Sequence, residues 1–399
     1  MPSPSSKLNP YASARVADFG ETVFATYTRL ARDHDAVNLG QGFPDFEPPK
    51  LIIDAYKQAA ETYQQYAPLP GMPQLSEVVS KIKGQVVGQT LDPAENVLIT
   101  VGATEALFAT CQALIDPGDE VILLEPFYDA YPADVTMAGG VPVYVPLHPQ
   151  NDGSWQLDFG ELRKAFSPKT KAIFINTPHN PTGKVFSAEE LDQIIALAEE
   201  FDAVIVSDEA YEYIAFTDHI SPASRPGAWE RTVAISSVGK TFSVTGWKVG
   251  WAVGPESLIH AVRMAHQWIP FTVATPLQLA AATALAETEK EDNSYFCDLR
   301  ELYKRKRDLL INALEETPFK PFTPQGSYFV IANTERLGYE DDVALCQDLP
   351  KRIGVGAIPP SAFYSEAHKS LAKNLVRFAY CKTDEALEEA ARRLKTLGG

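Results

Sequence analysis

Residues 236–252, SSVGKTFSVTGWKVGWA, set two lysines eight positions apart between two apolar segments. These flanking segments, 232–236 and 249–253, are typical of buried strands, so Lys240 and Lys248 are predicted to lie on the short connection between them. A lysine removed from water loses its proton more readily, because burial disfavours the charged ammonium. A neutral lysine amine attacks carbonyl carbons and forms Schiff bases. On this segment alone, two exposed loop lysines remain the simpler interpretation.

On both sides of this stretch the sequence repeats a strand–loop–helix pattern, which is typical of a mainly parallel sheet covered by helices. Further strands are predicted at 96–100, 121–125, 141–147, 171–176 and 203–208. Helices are predicted at 21–32, 50–65, 75–87 and 102–115, and capping-box patterns at Asp158–Glu161 and Ser187–Glu190 predict the starts of two more. The expected fold class is therefore α/β, with one large domain.

The rest of the chain predicts a smaller α+β domain. A long helical region covers about 255–316, with an interruption at IPFTVATP. It is followed by a helix near 341–352, an apolar strand in LVRFAYC and a helix from about 383. We divide the chain into 1–45 (N-terminal arm, loose over residues 1–10, and part of the small domain), 46–290 (large domain) and 291–399 (C-terminal small domain).

Composition excludes several classes of function. The formal net charge of −17 over 399 residues argues against sequence-independent binding to nucleic acid and against binding to anionic membranes. The four cysteines are widely spaced, and no CxxC or HExxH motif is present, so we predict no metal site. The first residues lack the apolar core of a secretion signal, and no apolar run approaches about 18 residues. We expect a cytoplasmic protein.

Chemically distinctive residues follow the predicted strands at the point where each strand ends. Because the carboxyl ends of parallel strands meet at one edge of a sheet, these residues are expected to converge. They are Gly102–Thr104 at a helix start, Tyr128, Asn180 within NTPHNPTG, Asp208 and Tyr211, and Ser237 and Lys240.

Each of these residues has an ordinary structural explanation: a helix entry, a core aromatic, a turn former or a helix cap. Together they offer a phosphate-binding helix start, an aromatic ring, an amide, a carboxylate, a phenol and a lysine. This is the set of groups that pyridoxal 5'-phosphate (PLP) requires, because a carboxylate keeps its pyridine nitrogen protonated and a lysine bonds its aldehyde.

The chain resembles the fold-type I, PLP-dependent aminotransferases of class I. The resemblance rests on motifs that run from residue 38 to residue 382: NLGQGFPDF, GATEAL, EPFYDAY, NTPHNPTG, SDEAYE, SSVGKTFSVTGWKVGW and LVRFAYCK. The first and sixth of these, with QYAPLPGMPQL and HQWIPFTVATP, are most similar to the kynurenine/glutamine and methionine aminotransferase branch. Lys248 stands where arginine is commoner in the class, although this branch uses lysine. His179 stands where asparagine is frequent, and we assign it no role.

The resemblance implies a role for each matching residue. For the cofactor, Lys240 would be the Schiff-base lysine and proton shuttle, Asp208 would pair with the ring nitrogen, Tyr211 and Asn180 would contact the ring oxygen, Tyr128 would stack on the ring, and Ala103, Thr104, Ser237 and Lys248 would hold the phosphate. For the substrate, Arg377 would bind the α-carboxylate with help from Asn180 and the Gly42 backbone, and Phe24 would line the side-chain pocket. Tyr66 and Phe271 would act in the site of a neighbouring subunit, which implies a homodimer.

The implied reaction is a ping-pong transfer of the amino group from an aromatic, methionine, glutamine or kynurenine-like L-amino acid to a 2-oxo acid. β-Elimination from cysteine conjugates remains open, because it needs the same residues. A PLP-sensing transcription regulator is disfavoured, because no helix-turn-helix pattern is present. A nicotinamide dehydrogenase is disfavoured because no GxGxxG follows a strand.

Overall fold

The computed structural model describes residues 11–398. The loose arm predicted at residues 1–10 lies outside the described residues. The strands, in chain order, are β1 (Val37–Asn38), β2 (Val97–Thr100), β3 (Glu120–Glu125), β4 (Val141–Pro149), β5 (Trp155–Leu157), β6 (Thr170–Asn176), β7 (Val204–Asp208), β8 (Thr232–Ser237), β9 (Gly250–Val253), β10 (Lys320–Phe322), β11 (Phe329–Asn333), β12 (Val355–Gly356) and β13 (Leu375–Ala379).

The α-helices alternate with these strands over most of the chain. They are α1 (Val23–Asp33), α2 (Lys50–Ala60), α3 (Pro73–Val87), α4 (Gly102–Leu114), α5 (Ala130–Ala138), α6 (Phe159–Ala165), α7 (Ala188–Glu200), α8 (Val238–Thr241), α9 (Glu256–His266), α10 (Thr275–Thr288), α11 (Tyr295–Glu315), α12 (Asp342–Arg352) and α13 (Asp384–Leu394). No helix within residues 11–398 combines the length and the apolarity that a membrane crossing needs.

The central sheet has eight strands in the order β2-β9-β8-β7-β6-β3-β4-β5. Strands β8, β7, β6, β3 and β4 are parallel, which agrees with the predicted mainly parallel sheet. Strand β9 runs antiparallel between β2 and β8. This reversal brings Lys248, two residues before β9, to the edge where β2 and β8 end.

Successive side chains of a strand point to opposite faces of this sheet, and helices cover both faces. Val121 and Leu123 of β3 pack in a core cluster with residues of α4, α5 and α9. The residues that alternate with them, Ile122 and Leu124, pack in a second cluster with residues of α6 and α7. Both faces are therefore buried, as the continuous apolar runs in the sequence indicate.

Helix ends follow from local hydrogen bonds. Ser187 and Glu190 form the predicted capping box at the start of α7. At α6 the predicted box is incomplete: Asp158 accepts from two backbone N–H groups, but the Glu161 carboxylate lies 2.8 Å from His148 Nε2 instead of returning to the cap. The helix predicted over 50–65 ends at Ala60, because the Thr62 hydroxyl and N–H both bond the Ala59 carbonyl.

A smaller region is built around the three-stranded antiparallel sheet β10-β11-β13 and the parallel pair β1-β12. Its core cluster joins Tyr27 of α1 and Leu39 to residues between 299 and 397, and it also includes Tyr211 and Ile214 from the large region. The segments before residue 45 and after residue 290 thus share one core. The domain limits at 45 and 290 stay predictions.

Candidate active site

A cavity of about 260 Å³ opens at the edge where β2, β6, β7 and β8 end and β9 begins. It is lined by all of the predicted site residues except Tyr66 and Phe271. The predicted residues in its wall are Phe24, Gly42, Ala103, Thr104, Tyr128, Asn180, Asp208, Tyr211, Ser237, Lys240, Lys248 and Arg377. The residues predicted from strand ends thus converge on one cavity, and Phe24, Gly42, Lys248 and Arg377, which were named from the resemblance, line the same cavity.

Lys240 lies on the single-turn helix α8, directly after β8. Its Nζ is 3.4 Å from the Gly42 carbonyl oxygen and stands 5.7 Å and 5.3 Å from the ring centroids of Tyr211 and Tyr328. Burial lowers the pKa of Lys240 to about 8, and the nearby Lys248 also lowers it. A substantial fraction of this amine is therefore neutral near pH 7 to 8, as a nucleophile or a base requires.

Lys248 occupies a different place in the same cavity. Its backbone adopts a left-handed conformation with φ of 54°, and its Nζ donates to Thr104 Oγ1 over 3.1 Å. The ammonium thus stands at the N-terminal turn of α4, where free N–H groups already favour an anion. The start of β9 lies close against the start of α4. This packing needs glycine at 250, because a Cβ there would lie 2.8 Å from the Ala103 nitrogen.

Asp208 is buried at the end of β7, and both of its carboxylate oxygens have partners. Tyr131 donates its hydroxyl to Oδ2 over 2.7 Å, and the Ala210 N–H donates to Oδ1 over 3.1 Å. Burial raises the pKa of Asp208, while these two hydrogen bonds oppose the rise. Tyr131 was missed at the sequence level. Its spacing of three residues from Tyr128 was the available signal, since the two rings meet edge to face at 5.6 Å.

The NTPHNPTG loop is tied to the end of β7 by Asn176, a second residue that the sequence analysis did not single out. Asn176 Oδ1 accepts from the Asn180 N–H over 2.6 Å, and its Nδ2 donates to the Asp208 carbonyl over 2.9 Å. His179, in the same loop, is buried with Nδ1 2.8 Å from Thr182 Oγ1. Burial lowers the pKa of His179 to about 3, so this ring is neutral.

Arg377, on β13, is fully buried, and its guanidinium reaches the cavity. It donates to Asn180 Oδ1 over 3.2 Å and to the Gly40 carbonyl over 2.9 Å. Within residues 11–398, its Nε has no hydrogen-bond partner and no carboxylate forms an ion pair with it.

The surroundings of Arg377 are aromatic. Its guanidinium carbon lies 4.2 Å from the ring centroid of Phe329, 5.0 Å from Phe363 and 5.2 Å from Phe24. Burial lowers the pKa of Arg377 to about 10, so the group stays charged at neutral pH. A buried cation without an ion pair is costly, and an anion bound in the cavity would offset that cost together with the Coulombic attraction of Asp129.

Tyr66 and Phe271 lie outside the cavity. Their side chains are exposed, at 76% and 53%, and their rings meet nearly edge to face with centroids 5.3 Å apart. Their predicted roles require a second subunit and stay predictions. Other cavity residues were missed, chief among them Gln41 and Phe329, although both fall in conspicuous segments, NLGQGFPDF and PQGSYFVIAN.

Comparison with known proteins gives the same family over most of the chain. Residues 34–394 match the family described as aminotransferase class I and II. The chain is 39% identical to a kynurenine–oxoglutarate transaminase of Dictyostelium discoideum, over 96% of both proteins. It is 43% identical to a probable N-succinyldiaminopimelate aminotransferase of Mycobacterium tuberculosis, over 98% of both.

Solved structures agree with these relatives. The N-succinyldiaminopimelate aminotransferase of Mycobacterium tuberculosis superimposes with a TM-score of 0.92 at 42% identity, covering 97% of this chain and 100% of that one. YbdL of Escherichia coli, identified as a methionine aminotransferase, gives 0.91 at 34% identity, covering 97% of this chain and 99% of that one. The predicted α/β fold is confirmed, while the relatives differ among themselves in the substrates that their names give.

Proposed function

The chain belongs to the class I and II aminotransferases, a PLP-dependent family, and from this premise we propose that its amino donor is an L-amino acid with an uncharged side chain. Aromatic amino acids, kynurenine, methionine and glutamine are the candidates, and a 2-oxo acid is the acceptor in a ping-pong cycle. The observation that supports this proposal most directly is the buried Arg377 guanidinium. It forms no ion pair with a carboxylate within residues 11–398, and it lines the same cavity as Lys240.

The residues of the cavity fit PLP. The N-terminal turn of α4, with Lys248 beside it, is suited to a phosphate, and we assign the N–H groups of Ala103 and Thr104 and the Ser237 side chain to the same task. Asp208 would face the ring nitrogen, because its burial suits a charge pair with a protonated nitrogen. We assign Tyr128 to stack on the face of the ring, and Tyr211 and Asn180 to contact the ring oxygen. When bound, PLP supplies an electron-withdrawing ring that stabilises negative charge at the substrate α carbon.

We assign two tasks to Lys240: it would bond the cofactor covalently, and it would carry the proton from the substrate α carbon to the carbon that was the cofactor's aldehyde. Both tasks need the neutral amine, and burial provides it by lowering the pKa to about 8. The Gly42 carbonyl oxygen, 3.4 Å from Nζ, accepts a hydrogen bond from the amine and so orients it before the cofactor is bound. Tyr328 donates its hydroxyl to the same carbonyl, so the acceptor is itself held in place.

Arg377 would bind the α-carboxylate, which is common to all amino acids, and selectivity then falls to the remaining walls. The rings of Phe24 and Phe329 stand beside the guanidinium. Within the described chain, the cations that line the cavity are Lys240, Lys248 and Arg377, and each already has a task. A donor with a second carboxylate would find no further cation in this subunit, which supports an uncharged side chain.

We expect glutamine to react at least about tenfold faster than glutamate, in kcat/KM, because an unpaired carboxylate in an aromatic pocket loses its hydration without compensation. The two donors have nearly the same size and differ in charge, so each controls for the other. The measurement is a single-turnover panel, in which PLP-loaded enzyme is mixed with each amino acid and the cofactor is followed from its aldehyde to its amine form. Methionine and phenylalanine extend the panel. Equal rates for glutamine and glutamate would contradict the proposed selectivity.

We expect Lys248→Ala to raise the dissociation constant of PLP by about 10- to 100-fold, because a charge-assisted hydrogen bond to the phosphate is lost. At saturating PLP, kcat should change little, since Lys248 does not reach the reacting carbon in this assignment. Fluorescence titration of the apoprotein with PLP measures the constant. Lys248→Arg is the control and should stay close to wild type. Wild-type affinity in Lys248→Ala would remove Lys248 from the phosphate site.

We also propose a homodimer with shared sites. The exposed pair of Tyr66 and Phe271 supports it, as does the neighbouring Trp268, which is 85% exposed. Large exposed aromatic side chains that cluster in this way are typical of protein interfaces. The expectation from the resemblance, that Tyr66 and Phe271 reach the site of the partner, is consistent with their position on the surface.

A further inference from the structure

The turn that follows β7 presents its residues to two separate environments. Asp208 and Tyr211 line the cavity. Glu209 and Glu212, which follow each of them in sequence, contact the ammonium of Lys83 on α3 instead. The Glu212 N–H donates to the Glu209 carbonyl over 2.9 Å and closes the turn. Glu209 and Glu212 are therefore joined through a short, hydrogen-bonded turn to the two residues that face the cavity.

Lys83 contacts this turn through both carboxylates and does not line the cavity. Its Nζ lies 2.5 Å from Glu212 Oε2 and 3.4 Å from Glu209 Oε2, and its side chain is only 4% exposed. Glu209 is fully buried, and its Oε1 accepts from the hydroxyls of Ser207 and Ser221 over 3.0 Å and 2.6 Å. Lys83 thus meets two carboxylates that have almost no access to water.

The charges in this cluster depend on one another. Burial alone would raise the pKa of Glu209, but Lys83 and the nearby His219 outweigh burial and lower it. His219 Nε2 lies 3.6 Å from Glu209 Oε2. Without Lys83, two buried carboxylates would stand together beside Asp208 with no lysine to balance them. Such an uncompensated pair is strongly unfavourable, so the turn would rearrange or one carboxyl would take up a proton.

The same cluster has the composition of a metal site, because the ligand atoms of Glu209, Glu212 and His219 all lie within 4.8 Å of one another. The position of Lys83 argues against a metal. Its ammonium touches both carboxylates and supplies the positive charge that a cation would bring. The cluster is better explained as an internal ion network with a task in the neighbouring site.

We propose that Lys83 is a positioning residue for the cofactor site: by binding Glu209 and Glu212, it fixes the turn that presents Asp208 and Tyr211 to PLP. This inference rests on the proposed assignment of Asp208 and Tyr211. The other side of the turn is already fixed, since the Asp208 carbonyl accepts from Asn176 Nδ2 and from the Thr177 N–H. Lys83 fixes the turn through the side chains of Glu209 and Glu212.

The test compares Lys83→Met with Lys83→Arg and with the double variant Lys83→Met/Glu212→Gln. For Lys83→Met we expect the dissociation constant of PLP to rise at least about tenfold and the visible absorption band of the holoenzyme to shift, because both depend on Asp208 and Tyr211. Lys83→Arg should stay within about threefold of wild type, and the double variant should recover part of the loss because one uncompensated carboxylate is removed.

Lys306→Met is the matched control. Lys306 is equally buried and binds Asp384 over 2.7 Å, but it contacts a different part of the fold. It should lose thermal stability and keep the PLP affinity and spectrum of wild type. The proposal would be overturned if Lys83→Met behaved like Lys306→Met, with a lower unfolding temperature but an unchanged dissociation constant of PLP and an unchanged spectrum. Failure of the proposed function would look different, since wild type itself would then react equally fast with glutamine and glutamate, whatever the PLP affinity of the Lys83 variants.

If Lys83→Met does not fold, Glu212→Gln decides the question. It leaves one carboxylate, Glu209, opposite the ammonium, so no buried charge is left without a counter-charge while the contact between Lys83 and the side chain at 212 is weakened. We expect about a threefold to tenfold rise in the dissociation constant of PLP. An unchanged constant would overturn the proposal, because the tie through Glu212 would then have no effect on the cofactor site.

Discussion

Lys240→Ala is expected to abolish covalent attachment of PLP and to slow transamination by about 10⁴-fold or more, because one side chain provides both the bond to the cofactor and the proton transfer. Covalent attachment is measured as the mass gained by the 232–253 region after borohydride reduction. Transamination is measured in single turnovers with methionine. Lys248→Ala is the matched control, since it removes a lysine from the same connection and should keep the covalent bond.

The ionisation of Lys240 adds a pH dependence to this prediction. Only the neutral amine attacks an aldehyde, and burial lowers the pKa of Lys240 to about 8. The rate at which apoprotein captures PLP should therefore rise with pH up to about 8 and level off above it, by close to tenfold per unit well below the pKa. Transamination by Lys240→Ala at the wild-type rate would show that another residue does the chemistry. A capture rate that is flat between pH 6 and 8 would contradict the lowered pKa.

Arg377→Leu is expected to lower kcat/KM for amino acids by about 10²- to 10³-fold, because the substrate carboxylate loses its buried, charge-assisted partner. PLP binding should change little, since Arg377 lies outside the phosphate site. The apoprotein should become more stable, because a fully buried guanidinium with no carboxylate partner among the described residues is replaced by an apolar side chain. Loss of activity with gain of stability separates a binding role from a structural one.

Substrate pairs make the test of Arg377 sharper. Phenylalanine and phenethylamine differ only in the carboxylate, so wild type should prefer phenylalanine strongly and Arg377→Leu should lose most of that preference. Arg307→Leu is the control: Arg307 also lies over an aromatic ring, Phe216 at 4.5 Å, and donates to a carbonyl, but it does not line the cavity. An unchanged preference in Arg377→Leu would show that the carboxylate binds elsewhere.

The parts of the site that lie at strand ends could be predicted from the sequence, because the apolar runs mark the strands and parallel strands end at one edge. Asp208 and Lys240 were found in this way. The two lysines of the opening stretch could not be told apart by local physics. Their difference arises from the reversal of β9, which carries Lys248 to Thr104 while Lys240 stays deep beside Gly42.

Residues that act through tertiary contacts could not be predicted in the same way. Lys83 has the sequence context of an ordinary helical lysine, and 126 positions separate it from Glu209. Tyr131 depends on how α5 packs, because its hydroxyl must reach a strand end 77 positions later. Periodicity gives the buried face of a helix, but it does not say which polar group on that face meets a partner.

The connection between Arg377 and the Gly40 carbonyl spans 337 residues, and the neighbouring Ala379 N–H donates to the Leu39 carbonyl. Much of the cofactor side of the cavity lies between Gly102 and Lys248, and a ribosome makes that part well before β13. The proposed binding site for the substrate carboxylate forms only after β13 has paired with β11 and met the 39–40 segment, which closes one of the longest loops in the fold. During synthesis most of the residues that we assign to the cofactor are therefore made before Arg377, which we assign to the substrate carboxylate.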